Sequence, residues 1–188
     1  MNTEPSLHPT LWRTCRVLAN RKRLQLLQLL LAKPDQTVSA LAGALKLKLP
    51  TVSQYLRALE ARGLLTVKRK GRMVSYRAST DGDGAAGASL VAALRTLFQR
   101  RSEPVEEVFK MATAFTHPRR IEIFRALTQG PQVFAQVSSA TRVSGRALFR
   151  HLRKLEKRGF VKHEAGKYEA NRHADGLGRE LARLATET

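Results

Sequence analysis

Residues 56–63 read LRALEARG, and residues 152–159 read LRKLEKRG. Six of the eight positions are identical, at a spacing of 96 residues. Each stretch ends an apolar pattern at helical spacing, and each stops at glycine, the residue that commonly sits just past a helix C-terminus. A chain of 188 residues that repeats itself this closely is read first as a duplication. The match extends outward in both directions. Val38, Leu41 and Ala44 fall on Phe134, Val137 and Ala140, and Leu64 and Leu65 fall on Phe160 and Val161. Further upstream the offset becomes 97, where Arg23, Leu24 and Leu30 fall on Arg120, Ile121 and Leu127. The one-residue deletion separates AKPDQ from QGPQ, a loop, where such changes are tolerated. The unit is about ninety residues long, too long for a solenoid repeat, and reads as two copies of one small domain.

Each copy has the same rhythm. LQLLQLLLA carries apolar residues at helical spacing and is broken by Pro34 and Asp35. A short helix follows over TVSALAGAL, with Val38, Leu41 and Leu45 on one face, then the tight turn KLK. A longer helix over LPTVSQYLRALEAR puts Val52, Leu56 and Leu59 on one face, with Pro50 in its first turn and Gly63 at its end. Alternation around Lys70 and Gly71 in LLTVKRKGRMVSYRA predicts a two-stranded hairpin. In the second copy IEIFRAL, VFAQVSSA and SGRALFRHLRKLEKR are the corresponding helices. The last is expected to be capped by Ser144 and ended by Gly159, and FVKHEAGKYEA predicts a shorter hairpin. SEPVEEVFKMATAF opens the second copy with Ser102 as its expected N-cap. LVAALRTLF and HADGLGRELARLA close the two copies. The expected division is 1–101 and 102–188, with residues 79–89, STDGDGAAGAS, as a flexible linker. The expected fold is mostly α with short β-hairpin wings.

Charge narrows the class of partner. There are 34 Lys and Arg against 15 Asp and Glu, a net charge of +19. Residues 1–94 hold 15 basic and 5 acidic side chains, and residues 95–188 hold 19 and 10, so the excess is not one basic tail. Such a chain favours polyanions, nucleic acid above all. Short helix, tight turn, longer helix is the helix-turn-helix arrangement, whose second helix can lie in the major groove. A basic hairpin just beyond it can reach phosphates, and KRKGR places four charges at a tip with nothing to pack against.

These residues carry a resemblance. LWRTCRVLANRKRLQLLQLL, LAGALKLKLPTVSQYLRALEARGLL and VKRKGRMVSYRA together resemble the opening helices, helix-turn-helix and wing of the ArsR-type family of bacterial transcriptional regulators. The resemblance covers residues 11–78 and, more weakly, 104–171. It implies a regulator, commonly a repressor, that binds double-stranded DNA. Members usually carry one such domain and pair as homodimers, so two copies in one chain imply a fused pseudo-dimer, acting as a monomer or as a homodimer. Lys48 stands where the family often has a capping serine. Phe149 falls on Ser53, which in the family would face DNA; here it can touch a thymine methyl, pack against the wing or meet another protein.

The base-contact candidates are Thr51, Ser53, Gln54 and Arg57 in the first copy and Arg146 and Arg150 in the second. Lys48, Lys68, Arg69, Lys70, Arg72, Arg153 and Lys167 are candidates for the backbone and wing contacts. The two sets differ, so a fused pair predicts an asymmetric target. An architectural nucleoid protein is the alternative that charge alone would allow, and a protein-interaction module is a third. The Thr51, Ser53 and Gln54 set favours the first reading, because a nonspecific binder does not need it.

No cofactor or metal is expected. Cys15 is single, and His8, His117, His151, His163 and His173 form no ligand pair, although His173 and Asp175 lie close in sequence. One cysteine allows no internal disulfide and fits a reducing cytoplasm, at the nucleoid. The longest apolar run is five residues, Leu90–Leu94, so no membrane span is expected. TDGDGAAGAS lacks the lysine of a phosphate-binding loop, and no catalytic constellation is legible, so the chain is not expected to be an enzyme.

Overall fold

The structure is a computed structural model that describes residues 10–71, 73–80, 82, 87–171, 173 and 176–187. The first copy runs α1 (Leu11–Leu18), α2 (Arg21–Ala32), β1 (Gln36–Thr37), α3 (Val38–Leu45), α4 (Leu49–Glu60), β2 (Leu65–Lys70), β3 (Met73–Ala78) and α5 (Ala88–Arg100). The second runs α6 (Pro104–Ala112), α7 (Pro118–Leu127), β4 (Gln132–Val133), α8 (Phe134–Thr141), α9 (Gly145–Lys157), β5 (Val161–Glu164), β6 (Lys167–Ala170) and α10 (Gly176–Glu187). Every element has a counterpart, and the fold is mostly helical with a small β wing after each helix-turn-helix.

The correspondence reaches single hydrogen bonds. Arg23 donates from Nε to the Val17 carbonyl at 2.6 Å and from Nη2 to that of Arg16 at 3.0 Å. At the matching position Arg120 donates to the carbonyls of Ala114 and Thr113 and to the Thr116 hydroxyl. Both guanidiniums satisfy carbonyls near the end of the preceding helix, where intrahelical donors run out. Helices α4 and α9 end alike. Gly63 and Gly159 adopt φ of 67° and 81°. Leu64 and Phe160 then donate to Leu59 and Leu155 at 3.1 and 3.0 Å, the six-to-one bond of a Schellman cap.

Three local expectations are corrected. Ser144 does stand at the N-cap of α9, but its hydroxyl makes no capping bond. Ser102 is not the N-cap of α6; Glu103 is, because the helix starts at Pro104, whose fixed φ and missing N–H suit the first position. The sheets have three strands, not two, in the orders β1-β3-β2 and β4-β6-β5. Gln36 pairs with Tyr76, and Gln132 with Tyr168. Strands of two residues are too short to show a period of two, so the sequence pattern could not disclose them.

One hydrophobic cluster runs through both copies. The second half builds its share from Phe115, Phe124 and Phe160, with ring centroids 4.6, 5.3 and 6.1 Å apart and edges turned to faces. The first half has Leu18, Leu27 and Leu64 at the matching places, all fully buried. Between the copies α5 packs on α10, and α1 and α2 pack on α6. Leu90, Leu94, Leu97, Leu177 and Leu181 are buried there. The amphipathic terminal helices therefore cover one another within the chain. At the margin Arg21 forms an ion pair with Glu106, one bond being 2.8 Å, and its guanidinium lies 4.0 Å from the Phe109 ring centre.

Of residues 79–89, Ser79 is buried and its N–H donates to the Leu64 carbonyl at 3.1 Å. Gly87 packs so closely on Gly63 that an added Cβ would lie 2.6 Å from its carbonyl oxygen. Ala88 and Ser89 begin α5, and residues 81 and 83–86 lie outside the described residues.

Candidate nucleic-acid interface

In each copy the turn between the two helices rests on a cation in the left-handed region, Lys46 at φ 51° and Arg142 at φ 52°. An L-residue there costs roughly 1–2 kcal/mol, which the flanking bonds hold in place. Leu47 N–H donates to Ala42 at 3.0 Å in one copy, and the Ser138 hydroxyl donates to Val143 at 2.9 Å in the other. The sequence marks KLK as a turn and assigns Lys46 no further role. The basic residue at the same place in the second copy is the signal that both are exposed charges beside the long helix.

Helix α4 buries Val52, Leu56 and Leu59 and thereby turns its other side outward. Gln54 and Arg57 are exposed on that side, while Thr51 and Ser53 are half-buried at its edges. Lys48 is the N-cap residue, without a capping bond, so its ammonium and the positive helix end both attract an anion. Helix α9 buries Leu148, Leu152 and Leu155 and leaves Arg146, Phe149, Arg150 and Arg153 exposed. The pattern of buried leucines is the same; what differs is the opposite side, polar in α4 and cationic in α9.

The wings differ as well. Lys68, Arg69 and Lys70 are exposed in succession on β2, and Lys70 pairs with Met73 across the tip. Arg72 lies outside the described residues. The second wing is shorter, with Ala165 and Gly166 at its tip at φ of 48° and 74°. Its Lys167 is exposed and sits opposite Glu164, so this wing carries charges of both signs. Sequence reasoning misses Leu49 and Met73, which are 52% and 62% exposed beside Lys48 and Lys70.

Several candidates lie away from these surfaces. His151 takes the place of Tyr55 and lies beside His117, with ring centroids 4.9 Å apart and the planes tilted by 40°. Burial holds the His151 pKa down to about 4, and His117 and Arg120 add to it. His117 is lowered too, first by burial, and its Nδ1 accepts the Arg119 N–H at 3.1 Å as the cap of α7. Cys15 is fully buried, which raises its thiol pKa and removes it as a nucleophile or ligand. His173 lies 4.2 Å from the Phe160 ring centre; Asp175 and His8 are outside the described residues. Among the described residues no three His, Cys, Asp or Glu side chains gather as a metal would need, and no helix is long and apolar enough to cross a membrane.

Known families match the sequence copy by copy. Residues 20–66, from the cap of α2 into β2, match the winged helix-turn-helix DNA-binding family. Residues 117–163, from the cap of α7 into β5, match the arsR family of bacterial regulatory proteins. A stretch of 65 residues is 42% identical to the HTH-type transcriptional regulator Rv0324 of Mycobacterium tuberculosis; it covers 35% of this chain and 28% of that protein. The chain thus holds two helix-turn-helix units, the first matching a winged helix-turn-helix DNA-binding family and the second the arsR family.

Proposed function

We propose that this protein is a transcriptional regulator that binds double-stranded DNA sequence-specifically and represses by occupying a promoter. Its heads, in 1–101 and 102–188, act as a fused pseudo-dimer on an asymmetric target in the cytoplasm. One observation supports the reading: α4 turns Gln54 and Arg57 outward, opposite the buried Val52, Leu56 and Leu59, with Thr51 and Ser53 at the edges of that side, in the position a recognition helix would use. Glutamine can pair bidentately with adenine, and arginine with guanine. The remaining charges, Lys48, Lys68, Arg69, Lys70, Arg153 and Lys167, supply phosphate contacts that fix register without reading sequence.

The test is selection of bound duplexes from a random library at fixed, near-physiological salt, because charge-driven affinity falls steeply with salt. One enriched, asymmetric motif is the expected result, with transcription from a promoter carrying it falling as protein is added. Tight binding without enrichment would replace the reading with an architectural role. A perfectly palindromic motif would remove the fused-pair arrangement.

A further inference from the structure

Phe149 is the anomaly of the second head. The residue is 52% exposed, makes no aromatic ring contact among the described residues, and is not part of the buried hydrophobic cluster. More than half of its surface is therefore open to a partner. The position is also not one that the fold requires to be apolar, since Ser53 fills it in the first copy. Its neighbours define what can cover it. Arg146 lies one turn before it and Arg153 one turn after, with Arg150 adjacent, and all three are exposed. An apolar partner surface alone would have to strip water from three guanidiniums. A polyanion matches them, and duplex DNA, the partner already proposed for this chain, also offers an apolar group there, the thymine C5-methyl of the major groove.

We infer that Phe149 is a specificity-determining residue that reads a thymine methyl in the half of the target under α9, flanked by arginines held by phosphate or guanine. The inference rests on the proposed placement of α9 in the major groove. It assigns the two heads different chemistry: hydrogen bonding under α4, and methyl contact with cationic anchoring under α9.

The experiment uses the full-length protein, the duplex it selects from a random library, and variants Phe149→Ala and Phe149→Met. Phe149 is exposed, so both variants are expected to keep the wild-type circular dichroism spectrum. Each thymine of the selected duplex is replaced in turn by deoxyuridine, which keeps the base pair and removes only the methyl. Wild type and Phe149→Met are expected to bind about four-fold more weakly at one or two positions, the equivalent of one buried methyl. Phe149→Ala is expected to bind thymine and uracil duplexes alike. Equal weakening for wild type and Phe149→Ala, or none for either, would overturn the inference and leave Phe149 to a protein contact. Failure of the library to yield any motif would instead overturn the underlying placement of α9, and this inference with it.

Discussion

Arg23 and Arg120 do the same work in two different surroundings. Each ties the end of one helix to the start of the next through two carbonyls, and Arg120 also reaches the Thr116 hydroxyl. Replacing Arg120 by methionine keeps the stem and orphans those acceptors. Stability is expected to fall by about 2 kcal/mol, measured by chemical denaturation, because hydrogen bonds to a charged donor are among the stronger ones. The histidine pair makes a second prediction at this scale. The folded protein holds His151 near 4 and lowers His117, whereas an unfolded histidine titrates near 6.5. Between those values the unfolded state binds more protons, so stability falls as pH drops from about 6.5 towards 4. His151→Gln is expected to flatten that slope in denaturation curves recorded across the range. Neither arrangement is fully legible in the sequence. The repeated arginine is visible at its offset, but its acceptors are not, because carbonyls carry no sequence signature. Phe149 is visible as a departure, yet only the structure shows whether a residue at the flank of a helical face is covered.

Among the elements, the long helices and their glycine ends are fully written in the apolar spacing, and the third strand of each sheet is not. Gly87 falls within the expected linker, yet it is where α5 starts against the cap of α4. Gly87→Ala would drive a Cβ into the Gly63 carbonyl, a backbone atom that cannot swing aside. The expected cost is about 1–3 kcal/mol, seen as a lower melting temperature. The wing belongs to this scale too. Neutralising Lys68, Arg69 and Lys70 together is expected to weaken binding to all duplexes alike. The dependence of log affinity on log salt should become shallower by about 2 to 3, near 0.9 for each phosphate no longer neutralised. Anisotropy titrations at several salt concentrations would measure both. A variant whose preference for one base disappeared instead would show that the wing reads sequence.

At the scale of the molecule, one core serves both copies, and that sets how the chain should unfold. Trp12 is the single tryptophan and lies in the first copy, while far-ultraviolet circular dichroism reports helices in both. Coincident midpoints by the two probes are expected, since α5 and α10 bury each other's leucines. Separate midpoints would mean that the halves fold independently. The sequence discloses the amphipathic closing helices but not their partner, because an apolar face states that it must be covered and not by what. Joining the copies also changes what a mutation does. In a pair of identical chains every substitution is made twice, and both halves of the bound DNA must accept it together. In the proposed fused pair a change on α9 leaves α4 as it was, so each half of a target would drift with its own helix, one base pair at a time.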